Sequence, residues 1–161
     1  MKIAVCADIH DNIWALTRAL PLMQNAAVLI CCGDLCAPFT LVQMAEGFKG
    51  PIHVVWGNND GDKWLLTQQA ARFPQVVLHG ELAELDLGGF RVAVNHYPQI
   101  ARGLASSGKY ELVCYGHDHR TCDEVLEGCR LLNPGELMGR LGPPGFAFYD
   151  RAAGAVQPVL V

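Results

Sequence analysis

Apolar and polar positions fall into two regimes along this chain. In the first, near-continuous apolar runs alternate with stretches of helical period. "KIAVCAD", "AVLICCGD" and "PIHVVWGNND" read as strands buried on both faces. Between the first two, Ile13, Leu16, Ala19, Leu20 and Met23 share one face of a helix that Asn12 caps and that reaches about Asn25. Pro38 opens a second helix to about Phe48, and residues 62–72 suggest a third. Strand alternating with helix predicts a parallel sheet.

The second regime is richer in turns. "VVLHGELAELDLGGFRVAVNH" reads as strands joined by a turn at Gly88-Gly89. A helix follows Pro98 and reaches about Ser107. After it come "YELVCYGHDH", a hairpin through Glu127-Gly128, and short strands at "GFAFYD" and "AVQPVLV". The pattern predicts an α/β or α+β protein: two sheets packed face to face, helices outside, in one domain over residues 1–161.

Composition narrows the class. Half the residues are hydrophobic (51%), enough for a buried core. The net charge of −4 and the lack of a long basic run argue against a dedicated nucleic-acid binder, whose affinity rests on phosphate neutralisation. Asp8 interrupts the opening apolar run too early for a secretory signal, and no stretch has the apolar length of a membrane span. The chain reads as cytoplasmic. Its seven cysteines fit that compartment as buried apolar groups at Cys6, Cys31, Cys32 and Cys114. Cys31, Cys32 and Cys36 are poorly spaced for zinc, and Cys122 and Cys129 flank the expected hairpin without calling for a disulfide.

The chemistry lies where the runs stop. Five of them end in polar residues: Asp8 with His10, Asp34, then Asn58, Asn59 and Asp60, then Asn95 with His96, and finally His117 with His119. Each cluster closes a buried strand, and in α/β sheets the ligand crevice lies beyond that edge. Any one cluster has an ordinary explanation as a strand end, a helix cap or a solvated loop. Together they offer carboxylates, imidazoles and an amide oxygen, a set suited to Mn²⁺, Fe²⁺ or Zn²⁺. Seven ligands exceed the needs of one ion and suffice for two. His53 and His79 fit no such cluster and read as structural or surface groups.

The ordered series "DIH", "GD", "GNND", "NH", "GHDH" resembles the calcineurin-like metallophosphoesterases, and most of all their small bacterial and archaeal phosphodiesterases. The resemblance implies a four-layer αββα sandwich. It implies Asp8, His10 and His119 on a first ion, Asn58, His96 and His117 on a second, and Asp34 bridging both. Mn²⁺ is the first choice, with Fe, Zn, Ni or Co as alternatives. The implied reaction is hydrolysis of a small phosphate ester, most readily a diester, by in-line attack of a hydroxide bridging the two ions. Asp11, Asp60 and Asp118 are candidates for orienting the ligands, and Asn12, Tyr97 and Arg120 for touching substrate. Small relatives are often dimers or tetramers. The chain departs from the pattern at Asn59, where many relatives carry the histidine assigned to protonate the leaving group. It departs again at Tyr97-Pro98, which follow His96 where many relatives have glycine. The alternative is a metal-binding interaction module or phosphate sensor without turnover, as in the retromer subunit of this fold.

Overall fold

A computed structural model describes all 161 residues. In chain order the elements are β1 (Lys2–Cys6), α1 (Ile13–Met23), β2 (Val28–Cys31), α2 (Pro38–Gly47), β3 (Ile52–Val54), α3 (Lys63–Ala70), β4 (Val76–Leu78), β5 (Leu82–Asp86) and β6 (Arg91–Asn95). There follow α4 (Pro98–Ala105), β7 (Leu112–Cys114), β8 (Thr121–Leu126), β9 (Cys129–Pro134), β10 (Gly145–Asp150) and β11 (Ala155–Leu160). They build two mixed sheets, ordered β11-β10-β1-β2-β3-β4 and β5-β6-β7-β9-β8. Within the first, β1 to β4 run parallel; within the second, β6, β7 and β9 do.

Three apolar layers explain the four-layer arrangement. Alternate residues of β1, β2 and β3 point to opposite faces, as the two-residue strand period requires. Ala4, Cys6, Leu29 and Cys31 pack on Leu16, Met23, Leu41 and Met44 of α1 and α2. Ile3, Val5, Val28 and Ile30 meet Val92, Val94, Leu112 and Leu132 of the other sheet. Ala93, Val113 and Leu131 face away from that interior and pack under Ala101 and Ala105 of α4. Both faces of the central strands are therefore buried, which is why their sequences are nearly all apolar.

The expected caps and turns are present. Asn12 Oδ1 accepts the Ala15 N–H, and Pro38 and Pro98 open α2 and α4. Glu127 and Gly128 both have positive φ in the β8–β9 turn, as a two-residue hairpin demands. Other expectations need correction. The helices stop one to two residues short of the expected ends, and β1, β2, β3 and β7 stop before the polar residues that close their runs, whereas β6 includes Asn95. β1 ends at Cys6 because Asp8 takes a left-handed backbone (φ 51°) that cannot continue a ladder. β4 is the fourth parallel strand of the first sheet, and β10 and β11 return to that sheet, β10 lying antiparallel to β1. Cys122 lies opposite Asn133 and Cys129 opposite Leu126, so the two thiols are four residues apart along the hairpin, and all seven cysteines are free. No helix is long and apolar enough to cross a membrane.

Candidate metal centre

Six parallel strands deliver polar residues to one edge. β1, β2 and β3 are neighbours in the first sheet, and β6, β7 and β9 in the second. The loops after β1, β2, β3, β6 and β7 carry the five predicted clusters. The sixth, after β9, carries Glu136, which sequence reasoning missed.

The loops are built for this purpose at a cost in backbone energy. Asp8, His10, Asp11, Asp34, Cys36, His117 and His119 all have φ between 43° and 78°. Such conformations cost a non-glycine residue roughly 1 kcal/mol or more each and persist only where surroundings enforce them. Hydrogen bonds between loops supply the enforcement. Asp8 N–H donates to Gly33 O (3.1 Å) and His10 N–H to Asp34 O (3.0 Å). Asp60 accepts from the backbone N–H of Asp34 (3.1 Å), Cys36 (2.9 Å) and Gly57 (2.6 Å). Asp11 Oδ1 accepts from Ala37 N–H and Thr40 Oγ1–H. Asp118 accepts from Asn133 Nδ2 (2.7 Å). A Cβ on Gly57 would overlap Asp34 Oδ1, and one on Gly116 would lie 2.8 Å from Asp8 Oδ2, so both glycines make room for carboxylates.

Two ligand groups share Asp8, with every ligand atom in a group within 4.8 Å of the others: Asp8, His10 and His119, and Asp8, Asp34 and His96. His10 Nε2 lies 3.4 Å from Asp34 Oδ2, His96 Nε2 lies 3.5 Å from the same atom, and His119 Nε2 lies 3.6 Å from Asp8 Oδ1. Asn58 Oδ1 sits 3.0 Å from His96 Nε2 and 2.8 Å from His117 Nδ1. All seven predicted ligands therefore converge. Asp8, Asp34 and His96 are almost fully buried, whereas Asn58 and His117 face solvent.

Tautomers show what the cluster lacks. A carbonyl oxygen only accepts, so the 2.8 Å contact of His96 Nδ1 with Cys32 O puts a proton on Nδ1. Its Nε2 lone pair then points at Asn58 Oδ1 and Asp34, which are also acceptors. His119 Nδ1 likewise donates to Glu136 Oε2 (2.6 Å), turning a bare Nε2 toward Asp8. His10 Nε2 is buried with no hydrogen-bond partner. Buried acceptors facing one another are costly unless a cation lies among them. The donor set therefore fits divalent ions, held by oxygen and imidazole nitrogen.

Titration follows the same crowding. Burial pushes the Asp8 carboxyl up to about 6, against the pull of His96 and His119. Burial also raises Asp34, but the nearby imidazole of His96 and two hydrogen bonds from Asn59 outweigh it and hold that carboxyl well below the usual range. Burial lowers His10; at His96 the same penalty is overcome by Asp34, and its pKa rises. The Cys36 thiol, 3.6 Å from His10 Nδ1, is pushed up to about 12 by burial and the surrounding carboxylates.

The remaining predicted residues take different places. Asn59 anchors Asp34, donating from its backbone N–H to Oδ1 (2.8 Å) and from Nδ2 to Oδ2 (2.7 Å). Asn12 spends its amide on the protein, capping α1 and donating to Met138 O (2.8 Å) and Leu137 O (3.3 Å). Tyr97 lies edge-on to the rings of His96 and His117. Arg120 is exposed at a cavity of about 340 Å³ beside His119, lined further by Glu136, Pro134, Pro143 and Phe146.

Known proteins resemble this chain in sequence and in fold. The calcineurin-like phosphoesterase superfamily domain matches residues 1–153. A phosphodiesterase of Methanocaldococcus jannaschii is 28% identical over 155 residues, covering 93% of both chains. Among solved structures, a novel archaeal phosphodiesterase superposes with a TM-score of 0.92 at 23% identity, over the whole of both chains. Yfce, a phosphoesterase from E. coli, gives 0.68 at 18% over the whole of both chains. Vps29 from Entamoeba histolytica gives 0.69 at 18%, over all of this chain and 98% of that one.

Proposed function

This chain belongs to the calcineurin-like phosphoesterase superfamily, and on that basis we propose that it hydrolyses phosphodiesters with two divalent ions. The observation that carries the reading is the set of bare imidazole nitrogens, His96 Nε2, His119 Nε2 and the unpartnered His10 Nε2, turned toward two buried carboxylates. Asp8, His10 and His119 would hold one ion and Asn58, His96 and His117 the other, with Asp34 shared between them. Mn²⁺ is the first choice, with Fe, Zn, Ni or Co as alternatives. Bound there, two ions would supply charge for the phosphoryl oxygens and lower a water's pKa toward about 7.

The chain's own residues set the stage for that step. Asp34 is kept ionised by Asn59 and oriented by the Asp60-bound loop. The Cys32 carbonyl fixes the tautomer of His96. Tyr97 walls the His96 side of the centre, and Arg120, beside His119, suits the charge of a small phosphate ester. Five buried free thiols suit a cytoplasmic setting.

The deciding assay is nitrophenol release from bis(4-nitrophenyl) phosphate, with Mn²⁺ and with chelator. Turnover is expected only with Mn²⁺. A protein that binds Mn²⁺ and releases no nitrophenol would be an interaction or sensing module, and the proposed reaction would be wrong.

A further inference from the structure

We propose that Glu136 is a positioning residue that fixes the tautomer of His119 and so creates the ligand face of one of the two ion sites. This inference rests on the two-metal reading above and assigns a role to a residue outside its seven ligands.

Glu136 is 3% exposed, and both its oxygens are committed. Oε2 accepts the His119 Nδ1–H (2.6 Å), while Oε1 accepts the backbone N–H of Leu141 (2.5 Å) and Gly142 (2.7 Å). Its backbone is held as firmly. The Glu136 carbonyl accepts the Gly145 N–H, and the next two residues bond to the first strand's loop, Leu137 N–H to Ala7 O and Met138 N–H to Asp8 O (2.9 Å). Glu136 thus fixes His119 relative to Asp8, and those two residues with His10 form one of the ligand groups. A carboxylate behind a ligating imidazole sets ring orientation and tautomer and raises the basicity of the other nitrogen.

The double commitment makes one substitution unusually informative. An isosteric amide accepts at one end and donates at the other. In Glu136→Gln, the Leu141 and Gly142 N–H groups demand the amide oxygen. The amide NH₂ is then turned to His119 Nδ1, which must become an acceptor. The imidazole proton moves to Nε2, and the lone pair that faced Asp8 is lost. Volume and packing hardly change.

Two measurements test this. Long-range nitrogen–proton correlation spectra of metal-free protein at pH 8 read which His119 nitrogen carries the proton. Nδ1 is expected in the wild type and Nε2 in Glu136→Gln. Calorimetric Mn²⁺ titration is expected to show two sites in the wild type. In the variant one should be unchanged and the other weakened about 10–100-fold, the usual cost of losing such support. Protonation at Nε2 in the wild type overturns the proposal without any variant. So does a variant that keeps Nδ1 protonated, or one whose two Mn²⁺ affinities match the wild type. A wild type that takes up no Mn²⁺ overturns the two-metal reading instead, and the spectra still decide what Glu136 does.

Discussion

Two groups of histidines in this molecule have similar spacing and opposite chemistry. His10 and His119 have ring centroids 5.1 Å apart, and so do His96 and His117. His53 on β3 and His79, just after the edge strand β4, are also 5.1 Å apart. The second pair satisfies itself: one ring nitrogen donates to the other across 2.9 Å, and none of the ion pairs reaches it. Its backbone has ordinary negative φ. The first group faces Asp8 and Asp34 and leaves His10 Nε2 unpartnered, and three of its members, His10, His117 and His119, sit on left-handed backbone. Clustering of imidazoles is therefore not what makes a metal site. Buried carboxylates, and tautomers fixed from behind, are.

The largest expected effect attacks the carboxylates. Asp34→Asn keeps the shape and removes the shared charge, leaving two cations to repel. Turnover should fall at least about a thousandfold, equivalent to ~4 kcal/mol in the barrier. Steady-state rates at saturating Mn²⁺ and metal content by elemental analysis measure it, and a near-wild-type rate would show that Asp34 is not the bridge.

Next comes the ligation itself. Mn²⁺ at a hundred times its dissociation constant should stabilise the fold by about 2.7 kcal/mol per site. Chelator should reverse the shift in a thermal melt. His79→Phe should leave the Mn²⁺-induced shift intact, whereas His96→Phe should reduce it. Equal responses in the two variants would erase the distinction between the groups.

The comparison also shows what the metal centre lacks. On the proposed ligation all four of its histidines would hold metal, and the amide of Asn59 is committed to Asp34. That would leave no imidazole free to protonate a leaving alkoxide. Rates should therefore fall steeply as the leaving group becomes more basic, by up to the 10²–10⁴-fold or so that general-acid catalysis contributes elsewhere. A series of diesters of graded leaving-group pKa, compared by kcat/KM at one pH, measures the slope. A shallow line would reveal another proton donor.

The smallest effect belongs to the paired histidines. Burial lowers the pKa of both, and His79 adds its repulsion to His53. The folded protein therefore resists protons that the unfolded chain accepts below the ordinary imidazole pKa of 6.5. Their contribution to stability is complete above that pH and is lost progressively below it. His79→Phe should cost about 1 kcal/mol at pH 8, the net worth of one hydrogen bond. It should also flatten the fall in stability between pH 7 and 5. Denaturant melts of the metal-free protein across that range provide the check, and an unchanged slope would assign the acid sensitivity to other groups.

Much of this was legible from apolar patterning. β1, β2 and β3 are buried on both faces, so their runs are unbroken and their polar ends conspicuous. Asn12 and the two prolines announced helix starts. The return of β10 and β11 to the first sheet was not legible, because a strand's local pattern does not name a partner from the other end of the chain. The left-handed residues also escaped notice, since Asp and His there follow no turn rule that a short window contains. Glu136 was missed for a related reason. "LLNPGE" ends a buried strand in polar residues as the other five runs do, but its proline and glycine are ordinary turn formers and nothing local sets Glu136 apart.

The place of β1 has a bearing on synthesis. β1, made before the other strands described, sits in the interior of its sheet, with β2 on one side and β10 on the other. Asp8 receives the Met138 N–H only when nearly the whole chain is available. At 5–20 residues per second, roughly ten seconds separate the emergence of the two. His96, His117 and His119 also arrive late in that interval. An ion that met the nascent Asp8, His10 and Asp34 would find a fraction of its eventual ligands and no sheet to hold them. On the proposed ligand set, an ion site is complete only once the late-made loops have docked on β1, so metal would strengthen a fold whose sheets already exist.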